Sequence, residues 1–201
     1  MEKVLKQLKK LKKLSFSMRL AAERWDKPWQ TLISTILSAR TRDEITIPIA
    51  TKLFEKYPEV EHLAKAKSAT VRKLIKPINF YKTKSKNIIT CAKVLVGKYN
   101  GNPPHDFDKL IDLPGVGRKT TNVFLSEMGK DSIGVDTHVS YISQKLGWTK
   151  SNKPKQIEED LKKLFPKRYW KMINPTLVRF GKTYTSRKKK DNILEKVRTL
   201  E

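Results

Sequence analysis

One cysteine, Cys91, stands in a chain of 201 residues. That scarcity excludes a disulfide framework within the chain and any multi-cysteine zinc or iron–sulfur site. Acidic residues are also short: 20 Asp and Glu face 44 Lys and Arg, a formal net charge of +24. Such an excess repels itself in a compact state, so the expected working partner is a polyanion, with nucleic acid first. A thermophile-type charged surface fits less well, because it raises Glu alongside Lys. No segment approaches the ~18 uncharged apolar residues of a membrane span. The opening MEKVLKQLKKLKKL carries charge but no apolar run of signal-peptide length. The expectation is a soluble, intracellular, monomeric protein that makes no membrane contact, cytoplasmic and nucleoid-associated if prokaryotic.

Period-two alternation is missing as well, and apolar residues recur at three- and four-residue intervals instead, which predicts an all-α fold. With 38% hydrophobic residues spread along its length, the chain has enough apolar surface for a real core. Leu5, Leu8 and Leu11 mark an amphipathic opening helix. Pro28 opens a second through Trp29, Leu32, Ile33, Ile36 and Leu37, whose next turn carries Ser38 to Asp43. Pro48 is expected to restart the following helix, which stops at Pro58. Ser68 reads as the cap of a short helix through Ile75. A long helix over 83–99 places Ile88, Cys91, Ala92, Leu95 and Tyr99 on one face, with Cys91 a small core residue. Further helices are expected over 107–111, 118–128, 137–146, 154–165 and 169–180, the last strained or divided at Pro175, and from about Ser186 onward.

Glycine is sparse too, eight in all, yet two fall together in Leu113-Pro114-Gly115-Val116-Gly117. Between two helices this makes a tight hairpin whose glycines permit positive φ and close backbone approach. A phosphate fits such a turn: the first N–H groups of the next helix point outward at the positive end of its dipole, with Arg118 and Lys119 adding charge. A corner that merely packs would have the same turn. The stretch from Asp112 through Gly117 to Arg118-Lys119-Thr120, followed by Val135-Asp136-Thr137-His138, resembles the signature of the helix–hairpin–helix DNA glycosylases of the endonuclease III family. The resemblance extends over roughly residues 25 to 150, through Leu37-Ser38-Ala39, Asp43, Asn79-Phe80-Tyr81, Lys84 to Ile88 and Tyr99-Asn100-Gly101.

What the resemblance implies is a two-lobed body: a six-helix barrel lobe over 22–131, and a second lobe from both chain ends, 1–21 with 132–201. It also implies binding of double-stranded DNA, with a damaged nucleotide flipped out, across the cleft between the lobes. Lys119 matches the family's nucleophile, which attacks C1′ of the damaged nucleotide, and Asp136 matches its partner carboxylate. A free lysine, pKa ~10.4, is protonated at neutral pH and needs desolvation or cationic neighbours to react. Asp136 equally reads as a helix N-cap. His138 is read as packing beside the site. The hairpin residues Leu113 to Arg118 and Thr120 fall in the DNA-binding part. Arg40 stands where the family commonly has a Gln that probes the vacated space, and Phe80 where an apolar wedge, commonly Leu, enters the opposite strand.

One departure is plain. Most relatives end with four cysteines holding a [4Fe–4S] cluster, whereas the matching stretch Phe180 to Lys190 is polar and basic. The expectation is a chain with no metal and no cofactor, in which packing by Trp170, Leu177, Phe180, Ile193 and Leu194 takes the cluster's place. The resemblance implies a base-excision glycosylase with abasic-site lyase activity toward oxidised pyrimidines. A thymine or uracil mismatch glycosylase is the alternative, although such relatives usually replace the lysine. A non-catalytic DNA-binding protein would not need Lys119 and Asp136 at family spacing.

Overall fold

The computed structural model describes residues 2–200, and every regular element among them is helical. In chain order these are α1 (Glu2–Leu14), α2 (Pro28–Ser38), α3 (Asp43–Lys56), α4 (Val60–Ala64), α5 (Ser68–Leu74), α6 (Tyr81–Tyr99), α7 (Phe107–Ile111) and α8 (Arg118–Glu127). There follow α9 (Thr137–Lys145), α10 (Pro154–Leu164), a 3-10 turn (Lys167–Tyr169), α11 (Trp170–Thr183) and α12 (Arg187–Arg198). The chain divides into two units. Arg19–Met128 forms one, and the described residues before and after it form the other.

The Arg19–Met128 unit is built around α2. Every residue from Trp29 to Leu37 is buried, so this helix has no solvent face and is the centre of its core. It packs against α3, α6 and α8. Pro28 at its start needs no donor there and presets the helical φ. Ser34 and Thr35 are buried within it, and their hydroxyls donate to the carbonyls of Ala21 (2.6 Å) and Thr31 (2.7 Å). Leu53, Leu63, Val71, Ile75, Ile88, Leu95 and Phe124 complete the core. Cys91 lies fully inside it, and burial pushes its thiol up to about 12.

The second unit gathers α1 and the helices from α9 onward. Leu8 and Leu11 of α1 pack with Ile142, Ile157, Leu161, Leu177, Phe180 and Leu194. Gln7 is the polar joint: it is buried, accepts from Trp148 Nε1 (2.7 Å) and donates to the Arg198 carbonyl (3.2 Å). The chain's two ends are thus tied by a hydrogen-bonded side chain rather than by apolar contact alone.

Several elements depart from the sequence expectation. α2 stops at Ser38 instead of running on, because Ala39 turns extended and Arg40 takes a left-handed φ of 57°. Pro48 does not restart α3; it lies inside a helix that begins at Asp43, where Asp43 and Glu44 complement the dipole. Pro175 likewise sits within an unbroken α11. Ser68 is the first residue of α5 rather than its cap, which is Lys67. Pro48 has no N–H for the carbonyl one turn back and its side is exposed, so tertiary packing holds α3 together against a local penalty. Pro48→Ala is therefore expected to stabilise the protein by about 1–3 kcal/mol, read as a higher urea midpoint with an unchanged m-value.

Candidate active site

The hairpin is set by local chemistry. Leu113 and Val116 are buried and anchor it from below. The Val116 N–H donates to the Leu113 carbonyl (3.0 Å), with Pro114 and Gly115 between them and Gly115 at φ +81°. This is the residue pattern of a type II turn, proline first and glycine at the positive φ. Glycine is required there for a second reason: a Cβ at position 115 would lie 2.9 Å from Cβ of Asn87 on α6.

Gly117 then caps α8 and has no side chain to offer its N-terminus. The Thr121 N–H is the first to find the Gly117 carbonyl (2.9 Å), so the amides of Arg118, Lys119 and Thr120 precede the helix's own ladder. That end carries partial positive charge. Thr120 is buried, while Arg118 and Lys119 are half-buried in the first turn. The Arg118 guanidinium lies 5.0 Å from the centre of the Phe107 ring, which holds it over α7. Gly115 and Gly117 are thus exposed beside the half-buried Pro114, Arg118 and Lys119, with Leu113, Val116 and Thr120 buried beneath them in the Arg19–Met128 unit.

Arg40 and Phe80 form a second feature of that unit. Both have left-handed backbones, at φ 57° and 60°, and neither is glycine. Phe80 is 58% exposed, and the Arg40 guanidinium stands 5.6 Å from its ring centre. Asn79 clamps the two turns, its amide donating to the Arg40 carbonyl and its N–H to Thr41 Oγ1 (3.1 Å). The sequence reading missed the residue beneath them. Lys84 is only 7% exposed, and its ammonium donates to the carbonyls of Leu37 (2.7 Å) and Ala39 (2.5 Å). Burial lowers its pKa to about 8. The available signal was its spacing: Lys84 continues the stripe of Ile88, Cys91 and Leu95.

Asp136 and His138 belong to the other unit. Asp136 caps α9, its Oδ1 accepting from the Val139 N–H (2.9 Å), so the carboxylate is held at a helix N-terminus. His138 packs on α11 at Gly181, where a Cβ would overlap the imidazole ring. Any side chain at 181 would expel it.

The matching family model is that of the HhH-GPD superfamily of base excision DNA repair proteins, and it matches residues 33–167. The endonuclease III of Thermotoga maritima is 46% identical over 156 residues, covering 77% of this chain and 73% of that one. The chain belongs to the endonuclease III family. The endonuclease III of Bacillus subtilis is 35% identical over 159 residues, covering 77% of this chain and 72% of its own. A trapped endonuclease III–DNA covalent intermediate superposes with a TM-score of 0.83 at 30% identity, covering 92% of this chain and 87% of that one. A thermostable thymine-DNA glycosylase, at 22% identity and a TM-score of 0.80, shares the fold, with 92% and 90% of the two chains covered.

An iron–sulfur cluster of the kind the family carries needs four thiolates, and these residues do not fit it. The only cysteine is in the core of the other unit. Among the described residues no group of His, Cys, Asp and Glu could hold a metal ion. Residues 180–184 are tied by other means: Phe180 is fully buried with its ring 5.0 Å from that of Tyr184, Tyr184 Oη donates to the Leu14 carbonyl (3.1 Å), and Thr183 Oγ1 accepts from the Phe16 N–H (2.9 Å). Leu177 and Leu194 are buried beside Phe180, with Trp170 and Ile193 packed against them. Among the described residues no helix is long and apolar enough to cross a membrane.

Gly115→Ala should cost about 1–2 kcal/mol from the left-handed backbone alone, with a further loss from displacing Asn87. Urea unfolding and duplex affinity measured together check this. Lower stability with undiminished DNA binding would detach the turn from the phosphate role.

Proposed function

We propose that this chain is a bifunctional base-excision enzyme, a DNA glycosylase and abasic-site lyase that removes oxidised pyrimidines from double-stranded DNA through a Schiff base on Lys119. The observation that carries this is Lys119 in the first turn of a helix capped by no side chain and entered through the Gly115–Gly117 hairpin, in a chain 46% identical to an endonuclease III. A related endonuclease III has been captured as a covalent intermediate with DNA, which accords with an amine nucleophile.

The hairpin amides and the α8 dipole hold a backbone phosphate, and Arg118 adds charge to that grip. With the damaged nucleotide extruded, the unprotonated amine of Lys119 adds to C1′ while the bond from C1′ to the base breaks. The base departs with the electron pair of that bond and takes up a proton. Ring opening gives an iminium between Nζ and C1′, which acidifies the C2′ proton. Loss of that proton expels the 3′ phosphate by β-elimination, and water then releases the lysine. Asp136 stabilises the positive charge that grows on the sugar and assists proton movement at the amine. Arg40 and Phe80 act on the vacated duplex: Arg40 donates to the orphaned base, and the exposed Phe80 ring stacks in the opposite strand. His138 is a packing residue. The chain performs this without a cluster, since none of its steps needs one.

Incubating the protein with duplexes bearing an abasic site or thymine glycol and adding borohydride should give a trapped adduct on both. Lys119→Ala should abolish it, a loss of more than about a thousandfold, whereas Asp136→Asn should slow base release by about 10²–10³-fold. An adduct that survives in Lys119→Ala would overturn the assignment of the nucleophile. Purified wild-type protein should be colourless and contain no stoichiometric iron by elemental analysis; a full complement of iron would refute the cluster-free reading.

A further inference from the structure

Arg40 and Phe80 are costly as surface residues. Two non-glycine side chains hold left-handed backbones, one of them a largely exposed aromatic ring, and neither is repaid by burial. Lys84 is bonded to both turns. The Lys84 ammonium bonds the carbonyls of Leu37 and Ala39, on either side of Ser38, where α2 ends and the chain turns into Arg40. Its backbone N–H donates to the Phe80 carbonyl (2.9 Å) as the first turn of α6 closes. Asn79 completes the frame through the Arg40 carbonyl and Thr41 Oγ1.

We propose that Lys84 is a positioning residue for duplex readout, which holds Arg40 and Phe80 as a preformed stacked pair that enters the DNA helix where the nucleotide has been extruded. A preformed pair enters the stack without first losing side-chain and loop freedom, so its contacts with DNA appear in the rate. An ammonium suits the task because it has three donors and no acceptor, and two carbonyls converge on it at the end of a buried helix. The inference rests on the roles proposed above for Arg40 and Phe80, and the test separates the two.

The measurement is the rate of borohydride trapping on an abasic site in a duplex, divided by the rate on the same oligonucleotide single-stranded, where no opposite strand exists to be read. Wild type, Lys84→Met, Arg40→Ala, Phe80→Ala, the double variant Arg40→Ala with Phe80→Ala, and that double variant carrying Lys84→Met are compared, with thermal melts for each. Lys84→Met should lower the ratio by about tenfold, and in the background lacking both Arg40 and Phe80 side chains the same change should matter by less than about twofold, since it acts through that pair. If Arg40→Ala and Phe80→Ala lower the ratio and Lys84→Met does not, the positioning role is wrong while the readout pair stands. If neither Arg40→Ala nor Phe80→Ala moves it, the pair does not read the duplex and both ideas fall. A tenfold effect of Lys84→Met undiminished in the Arg40→Ala, Phe80→Ala background would also overturn the proposal. Should Lys84→Met fail to fold, Lys84→Gln, whose amide still donates to one carbonyl, carries the same comparison.

Discussion

A helix buried on every side must end somewhere, and its last carbonyls then have no water to accept from. That constraint governs the Arg19–Met128 unit, because α2 is enclosed from Trp29 to Leu37. The chain resolves it by bringing a cation inside. Lys84 satisfies the carbonyls of Leu37 and Ala39, and doing so requires α6 to begin where it does, with Phe80 as its left-handed cap. The exit from α2 is forced into the turn that carries Arg40, and Asn79 locks that turn from the other side. Burying an ammonium is unfavourable unless its protons are taken, which the convergent carbonyls do. A methionine would fill the same space at lower desolvation cost but leave the buried Leu37 carbonyl orphaned and the Ala39 carbonyl without its ammonium partner. Core termination and the exposed Arg40–Phe80 pair are therefore consequences of one arrangement.

The parts of this molecule that were legible in sequence are those fixed by neighbours in the chain. The face of α6 carrying Ile88, Cys91, Ala92 and Leu95 follows from periodicity, and Asp136 before Val139 is an N-cap in both sequence and geometry. The hairpin is legible because proline and glycine occupy the two positions a type II turn demands. What escaped was non-local. The five-residue α4 is too short to show a period, yet it packs on α6 with Val60 and Leu63 buried. Pro48 looks like a boundary until packing overrides it. Gly181 has an ordinary helical neighbourhood, and its need for no side chain comes from His138, 43 positions earlier in the chain. Lys84 reads as one lysine among many until the carbonyls of α2 are seen around it.

In the second unit the question is how a segment holds its path without four thiolate bonds. Metal ligation fixes a loop through a few strong local bonds, whereas here the restraint is spread over long-range contacts. Phe180 enters the core, Tyr184 reaches the Leu14 carbonyl, and Tyr141 with Lys145 on α9 grips Asp191 on α12. Apart from Phe180 these are surface or half-buried polar ties, and an exposed ion pair such as Lys145–Asp191 contributes little alone. The apolar contacts of Leu177, Leu194 and Val197 must therefore supply most of the restraint on α12.

Charge and chemistry enter this chain at different levels. A surplus of +24 draws any nucleic acid with an affinity that falls steeply with salt, and it distinguishes neither lesion nor sequence. Discrimination has to come from groups whose positions are fixed, and two helix N-termini show opposite solutions. At α8 the cap is glycine, which brings no anion of its own to the positive end of the dipole. At α9 the cap is Asp136, which brings its own anion and is oriented by the Val139 amide; one hydrogen bond leaves a carboxylate further acceptor capacity. Reversing the two caps would keep both helices nearly as stable, since aspartate and glycine are each accepted at that position. In the proposed mechanism it would also put a negative charge where the hairpin is to hold a phosphate and remove the one meant for the sugar cation. Stability alone does not choose between these arrangements, and the proposed chemistry does.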